Sequence, residues 1–515
     1  MAMMSVMWMW LFGMGGWFGA APGTAVSDAA RQALVQRFAT EAAFLETGGD
    51  LYVIRDLDGH LEATLNGVAG MATVMGPGAS ADAQAFAGKI APFCERNGLF
   101  AVRSVGVSTV PRPDGLRSLR AFVMRDAAAA ELPFWRGTLG GAPGPGSLLA
   151  YLPADTVLAS QAAGEPAALW RMIRSGMLDF ACGGDEAQLK VRLAEASRDL
   201  GADIDALFAS FSGEWVFSLQ LAESATTQIP GPAGMLSIST PSFLIAARAS
   251  DDTALLALVH AMSRRGGQVT TSQVEGLAVH MLAQPLPGPL PLQPAVAFDG
   301  NTVLFAGSPA AVGAAVRARR DGGGLTASKA YAEVFGKLPR DSNARFFCDA
   351  RFAKTLNQVR AQLDEAKGGL GNPMAAFTQL LGPPLPEASS GWVAVNGPDG
   401  IRLQGTGTGM VARQLAGIGG MNPALLAGIA LPSFFRARQT AQRNACINNL
   451  RQIDLVKQQW AQEKNAAAGA TPTAQDISPY LKGGFENLRC PQGGTYQVNP
   501  LGQRPTCSIP GHRLQ

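Results

Sequence analysis

The sequence predicts an α+β protein: duplicated antiparallel-sheet-plus-helix units, followed by a long helix and a small disulfide-type β-hairpin module. Three observations lead there. Short strand patterns alternate with amphipathic helical patterns between residues 26 and 410. Within that region one segment repeats without gaps. Residues 411–515 then change character, passing from an apolar run into a polar helix and on to turns marked by cysteine and glycine.

The repeat pairs Asp58-Gly-His-Leu-Glu-Ala-Thr64-Leu65-Asn66 with Asp349-Ala-Arg-Phe-Ala-Lys-Thr355-Leu356-Asn357. Each copy follows a strand-like run, LYVIR in the first and ARFFC in the second. Each is trailed by a Pro-Asp-Gly turn between two strand patterns, at Pro113-Asp114-Gly115 and at Pro398-Asp399-Gly400. The leading and turn aspartates are 56 residues apart in one copy and 50 in the other. Two anchors at matched separation predict a duplicated unit whose helices cover one face of an antiparallel sheet.

The middle of the chain follows the same style. FLIAARA, then Asp251-Asp252, then TALLALVHAMSRR reads as a strand entering a helix with an aspartate cap. Phe298-Asp299-Gly300-Asn301 joins two apolar runs as a hairpin turn. Leu152-Pro153-Ala154-Asp155 and Leu338-Pro339-Arg340-Asp341 each open a strand unit. The proline-rich Pro285–Pro294 stretch is a stiff, extended connection. Gly141–Gly146 plays the same part, which places a sub-boundary near 141–150.

Composition limits the function classes. Charged residues make up only 16% of the chain against 47% hydrophobic, and the net charge is +3. No lysine or arginine cluster offers a footprint for nucleic acid, so no nucleic-acid partner is expected. Residues 1–25 begin with 22 residues free of charge, rich in Gly and Trp. They are expected to be a signal peptide or membrane anchor, with Gly19-Ala20-Ala21 as the cleavage candidate. The competing readings are a buried N-terminal helix or a wrongly placed start codon.

No catalytic constellation is legible, and no cofactor is implied. The four histidines, His60, His260, His280 and His512, form no metal pair at helical spacing, and neither a nucleophile elbow nor a phosphate loop is present. Gly405-Thr-Gly407-Thr-Gly409 continues a strand rather than opening a helix. Asp56, Asp58 and Glu62 are too closely spaced for a calcium loop, and Asp58 is better read as a helix cap.

The C-terminal helix carries one apolar stripe, Cys446, Leu450, Ile453, Val456 and Trp460, at spacings of three and four. Arg443, Asn444, Asn448, Arg451, Lys457 and Gln458 are expected on the other faces. Thr473 to Asp476 caps a short helix that stops at Gly483-Gly484. Thr495–Asn499 and Arg504–Ile509 read as the strands of a hairpin turning at Pro500-Leu501-Gly502. Cys490 and Cys507 lie at its open end and are the disulfide candidate, a closure worth roughly 3 kcal/mol in the chain-entropy model. A metal site is the competing reading, since Cys446 and His512 would complete a Cys3His set, but the CxxC knuckle usual in zinc sites is missing. Free thiols are the third. Cys94, Cys182 and Cys348 read as core thiols.

This helix, loop and hairpin layout resembles the pilin and pseudopilin family of type IV pili and type II secretion systems. The likeness rests on GIALPSFFRARQTAQRNACINNLRQID, TPTAQDISPYLKGG, CPQGGTYQVN and the closing TCSIPGH. It covers about 95 residues of the chain. It departs from the family in having Gly419-Gly420, Asn422 and Pro423 where an unbroken apolar helix with a glutamate would stand, after some 410 residues of other sequence. Residues 145–410 resemble, more diffusely, an uncharacterised domain family of exported bacterial proteins, which carries no activity. Together the resemblances imply a non-catalytic, enveloped-anchored or exported structural protein with secretion or pilus machinery as partner. The alternative is an envelope protein that binds a ligand or peptide through its sheet domain and keeps the tail as a remnant.

Overall fold

The computed structural model describes residues 36–58, 88–231, 234–264, 268–365, 384–408 and 423–514, apart from positions 37, 289, 291, 468, 482, 483, 486, 487, 492 and 510. The expected N-terminal anchor (1–25) and the first copy of the repeat beyond Asp58 therefore lie outside the described residues. The chain divides into two compact units, Ala2–Leu426 and Ala427–Gln515.

Thirteen strands build the larger unit: β1 (Leu51–Asp56), β2 (Val102–Pro111), β3 (Arg117–Arg125), β4 (Thr156–Ala163), β5 (Phe211–Gly231), β6 (Gly234–Ala249), β7 (Val269–Val274), β8 (Leu277–Leu282), β9 (Ala295–Asp299), β10 (Thr302–Ala306), β11 (Ala344–Cys348), β12 (Ser390–Gly397) and β13 (Gly400–Gly407). They form one sheet in the order β1-β2-β3-β13-β12-β11-β4-β5-β6-β10-β9-β8-β7. Every pairing is antiparallel. The sheet thus runs without a break across the 141–150 region.

The strand signals read from the sequence fall where expected. LYVIR is β1 and ARFFC is β11. The two Pro-Asp-Gly turns join β2 to β3 and β12 to β13. Gly115 sits at φ +79°, a conformation that costs a residue with Cβ. Strands β1-β2-β3 and β13-β12-β11 lie in mirrored order about the β3–β13 pair, whose register sets Phe122 opposite Arg402. Both LPxD segments lead into neighbouring strands, β4 and β11.

Helices cover both faces of the sheet rather than one, at least along β9 and β10. Ala295, Ala297, Leu304 and Ala306 pack with Val312 and Ala315 of the Pro309–Asp321 helix. The alternate residues Val296, Phe298, Val303 and Phe305 pack instead with Ala254, Leu255 and Met262 of the Thr253–Arg264 helix. Side chains alternate sides along a strand, so Ala295–Phe298 and Val303–Ala306 are apolar on both sides because each side has a helix to meet. The aspartate step before the Thr253–Arg264 helix and the Asp-Gly turn are where the sequence places them. Asp251 accepts the Thr253 N–H at 3.0 Å, and Gly300, at φ +66°, closes the β9–β10 turn.

The backbone of Pro423–Glu463 is a single 41-residue helix that continues through Pro432, and from Ala427 on it belongs to the smaller unit. Among the described residues no helix is long and apolar enough to cross a membrane. Cys446, Leu450, Ile453 and Val456 are buried, as their spacing predicts, and Trp460 is partly so. Ile453 and Val456 pack with Ile477 and Leu481, backed by Phe485, Tyr496 and Val498. Thr473 and Asp476 form a complete capping box. The hairpin's ladder is shorter than expected, with β14 (Tyr496–Gln497) against β15 (Thr506–Cys507).

Lys457 departs from the expected exposed face. It is 1% exposed, and its ammonium donates to the carbonyls of Val498 and Pro500 at 3.3 and 3.2 Å and to that of Gln503. The hairpin turn folds over the end of this side chain, which supplies donors to its carbonyls; that of Pro500 also accepts the Gln503 N–H at 3.1 Å.

Candidate functional site

Four side chains from four places in the smaller unit converge. Cys446 leads the buried stripe of the long helix and is fully buried. Cys490 ends the segment before the hairpin and is 4% exposed. Cys507 is the last residue of β15, and His512 lies in the turn beyond it, 5% exposed. Their three sulfurs and one imidazole nitrogen all lie within 4.8 Å of one another. The Cys490 Sγ to His512 Nδ1 separation is 3.6 Å.

Local backbone features bring these atoms together. The Gly493 N–H donates to the Cys490 carbonyl at 2.8 Å, closing a turn in which Gly493 takes φ +79°. Gly494 lies so close to the hairpin that a Cβ there would stand 2.7 Å from the Cys507 sulfur and 2.7 Å from Ile509. The Cys-Pro-Gln-Gly-Gly segment is therefore shaped to lay Cys490 beside Cys507. The Ile509 N–H points at the Cys507 sulfur at 3.5 Å. The Arg443 guanidinium donates to the Gly511 carbonyl at 3.1 Å and ties the final turn to the helix.

The Cys490–Cys507 bridge expected from the sequence is not formed. All six cysteines are free thiols, and a bridge between any two of these three would leave the third thiol unpaired in the same buried cluster. Burial, reinforced by the neighbouring Cys490 and Cys507 thiols, pushes the Cys446 thiol up to about 12. Burial also lowers the His512 imidazole, with the Arg443 charge adding to the effect, which favours the neutral ring. The Tyr496 phenol is raised by burial and by its hydrogen bond with Cys446. Asn449 in turn donates to the Tyr496 hydroxyl at 3.0 Å. As thiols, the three cysteines are small apolar packing groups. Deprotonated, they are three soft anionic donors around a common point, with an imidazole as the fourth.

Of the residues singled out from the sequence, Cys446, Cys490 and Cys507 come together, and Leu450 packs beside them. Ile453, Val456 and Trp460 belong to the adjoining apolar core. Tyr496, Asn449 and Gly494 join the cluster without a sequence signal of their own, although Gly494 and Tyr496 sit in the CPQGGTY motif. Cys94 and Cys182 are buried in the larger unit, as expected, and Cys348 is partly so. His280 bonds Thr271 at 2.9 Å, and His260 packs against Gly201. His60 and Glu62 lie outside the described residues.

The larger unit holds a cavity of about 320 Å³ lined by Glu41, Arg103, Arg125, Asp399 and Arg402, among others. Arg402 pairs with Asp399 at 2.7 Å, and Arg103 with Asp58 at 2.6 Å and with Asp126. Arg125 is 5% exposed, lies over the Trp135 ring, and donates to Asn396 and the Gly397 carbonyl. Its Nε has no hydrogen-bond partner among the described residues.

Comparison of the chain with protein-family models, curated proteins and solved structures finds no match.

Proposed function

We propose that the protein is a non-catalytic structural or scaffolding component of the bacterial cell envelope, related through its C-terminal unit to pseudopilins. The observation that carries this reading is the 41-residue helix whose C-terminal half forms the core of a compact helix-and-hairpin unit. In a pilin-type subunit the helix serves assembly and the hairpin end forms the soluble head. In this reading β1–β3 and β11–β13 are two copies of one unit, an N-terminal segment tethers the chain to the inner membrane, and the partners are proteins of a secretion or pilus apparatus.

The test is affinity capture of the full-length chain from envelope extracts alongside core secretion and pilus proteins. Enrichment of those proteins, lost when Ala427–Gln515 is replaced by an unrelated folded tag, is the expected result. Failure to enrich any of them overturns the reading.

A second reading, an envelope protein that binds a small anionic ligand, has one observation in its favour: the unpartnered Arg125 Nε at the wall of the larger unit's cavity. The other two arginines there are already paired with carboxylates, which weakens it. A screen of carboxylates and phosphates by calorimetry, with Arg125→Gln as control, decides this.

A further inference from the structure

We infer that Cys446, Cys490, Cys507 and His512 form a closed, structural Cys3His site for a divalent zinc ion. This assignment stands apart from the envelope reading, because it rests only on the smaller unit's own side chains.

The donor set fits the metal in kind and in number. Zinc in structural sites takes four ligands in a tetrahedron, chosen from thiolate and imidazole, and Cys3His is one of the recurring sets. Calcium and magnesium require oxygen ligands, which this cluster does not provide. With metal–sulfur bonds of about 2.3 Å and metal–nitrogen bonds of about 2.0 Å, a tetrahedron sets sulfur and nitrogen about 3.5 Å apart and sulfurs about 3.8 Å apart. The Cys490 Sγ to His512 Nδ1 distance is 3.6 Å, and the whole set fits within 4.8 Å. Ligand movements of less than about 1 Å complete the geometry. A disulfide, by contrast, uses two sulfurs at about 2.05 Å and gives the third thiol and the imidazole no role.

The surroundings supply what a thiolate site needs. Binding zinc releases one proton from each of the three thiols to solvent, and a neutral histidine leaves the site with one net negative charge. Hydrogen-bond donors must meet that charge. The Ile509 N–H is directed at the Cys507 sulfur. The Tyr496 ring packs against the cluster formed by Cys446, Leu450 and Cys490, and its hydroxyl is fixed by the Asn449 amide. The Arg443 cation is anchored on the final turn beside His512. Such outer-shell contacts orient ligands and tune affinity. The site also has a structural task, since the apolar core around Cys446, Leu450 and Cys490 is small. One ion would fasten the helix, the CPQGG turn, β15 and the closing turn to a common point. That gives the CPQGGTY and TCSIPGH motifs one shared purpose.

The test uses the full-length chain, purified without chelators. Elemental analysis is expected to find about one zinc per chain. Replacing zinc with Co²⁺ is expected to give the intense visible absorption of a tetrahedral thiolate site. Cys446→Ser, Cys490→Ser and Cys507→Ser should each abolish that spectrum, and Cys182→Ser should leave it intact. His512→Ala should weaken Co²⁺ binding and His512→Cys should restore it, which separates ligand loss from misfolding. Tyr496→Phe is expected to weaken binding about 10-fold or more. Three results would overturn the assignment: a wild-type chain that takes up neither Zn²⁺ nor Co²⁺, a Cys490–Cys507 disulfide found by mass spectrometry without reductant, or full cobalt binding by the Cys490→Ser/Cys507→Ser variant.

Discussion

Lys457 shows how one residue can belong to the core while its neighbours read as surface. A lysine beside an apolar stripe normally reaches solvent. Here the helix turns it beneath the hairpin, where carbonyls of Val498, Pro500 and Gln503 take its donors. Nothing local in the helix encodes those acceptors, which lie some 40 residues further along, so the sequence pattern assigned Lys457 to the wrong face. Lys457→Met should take its donor from the Val498 and Gln503 carbonyls, while Pro500 keeps the Gln503 N–H, and cost the smaller unit about 2–3 kcal/mol in denaturant unfolding. Exposed Gln458→Ala should stay within about 0.5 kcal/mol; equal effects from the two would refute the placement. The cysteines of the larger unit give a second residue-level expectation. Burial pushes the Cys94 and Cys348 thiols up to about 12, with Asp349 adding to the effect at Cys348. Both should resist thiol reagents near pH 8 in the native chain and react on unfolding. The folded-state values lie above the ordinary thiol value of 9.0, so these two groups leave stability unchanged below pH 9. They turn destabilising as pH rises from 9 towards 12, because only the unfolded chain then releases those protons. A native chain that labels at Cys94 as fast as an unfolded one contradicts it.

At the scale of elements, turns and caps were the most legible features, because their chemistry is local. The Pro-Asp-Gly hairpins, the Asp-Gly turn at Asp299-Gly300 and the Thr473–Asp476 capping box each follow from a few adjacent residues. Thr473→Ala should cost about 1 kcal/mol, read as a lower midpoint for the smaller unit. The CPQGG segment was legible as a turn, but its purpose was not. Gly494 owes its identity to Cys507 and Ile509, which approach it from the hairpin. Gly494→Ala is expected to push Cys490 and Cys507 apart and destabilise the smaller unit by about 1–3 kcal/mol in denaturant unfolding; an unchanged midpoint would contradict the close approach. The absent CxxC knuckle favoured a disulfide from sequence alone. The deciding fact, Cys446 arriving from the helix, is a long-range contact that spacing does not reveal.

For the whole molecule, strand existence was readable and strand order was not. Alternation along β2 and β3 announces strands, but the joining of β3 to β13 links residues 117–125 with 400–407. Such pairing is set by the folded whole, as is the covering of β9 and β10 on both sides. Ending the chain before β12 would expose unpaired edges at β3 and β11. The truncated protein is therefore expected to aggregate in size-exclusion chromatography, and a stable monomer would argue against one continuous sheet. The claim on which most depends is that the C-terminal unit closes around a metal ion rather than a disulfide. X-ray absorption at the zinc edge of the full-length protein tests it most directly. The account predicts three sulfurs at about 2.3 Å and one nitrogen at about 2.0 Å, whereas a zinc edge without sulfur neighbours, or no zinc at all, would contradict it.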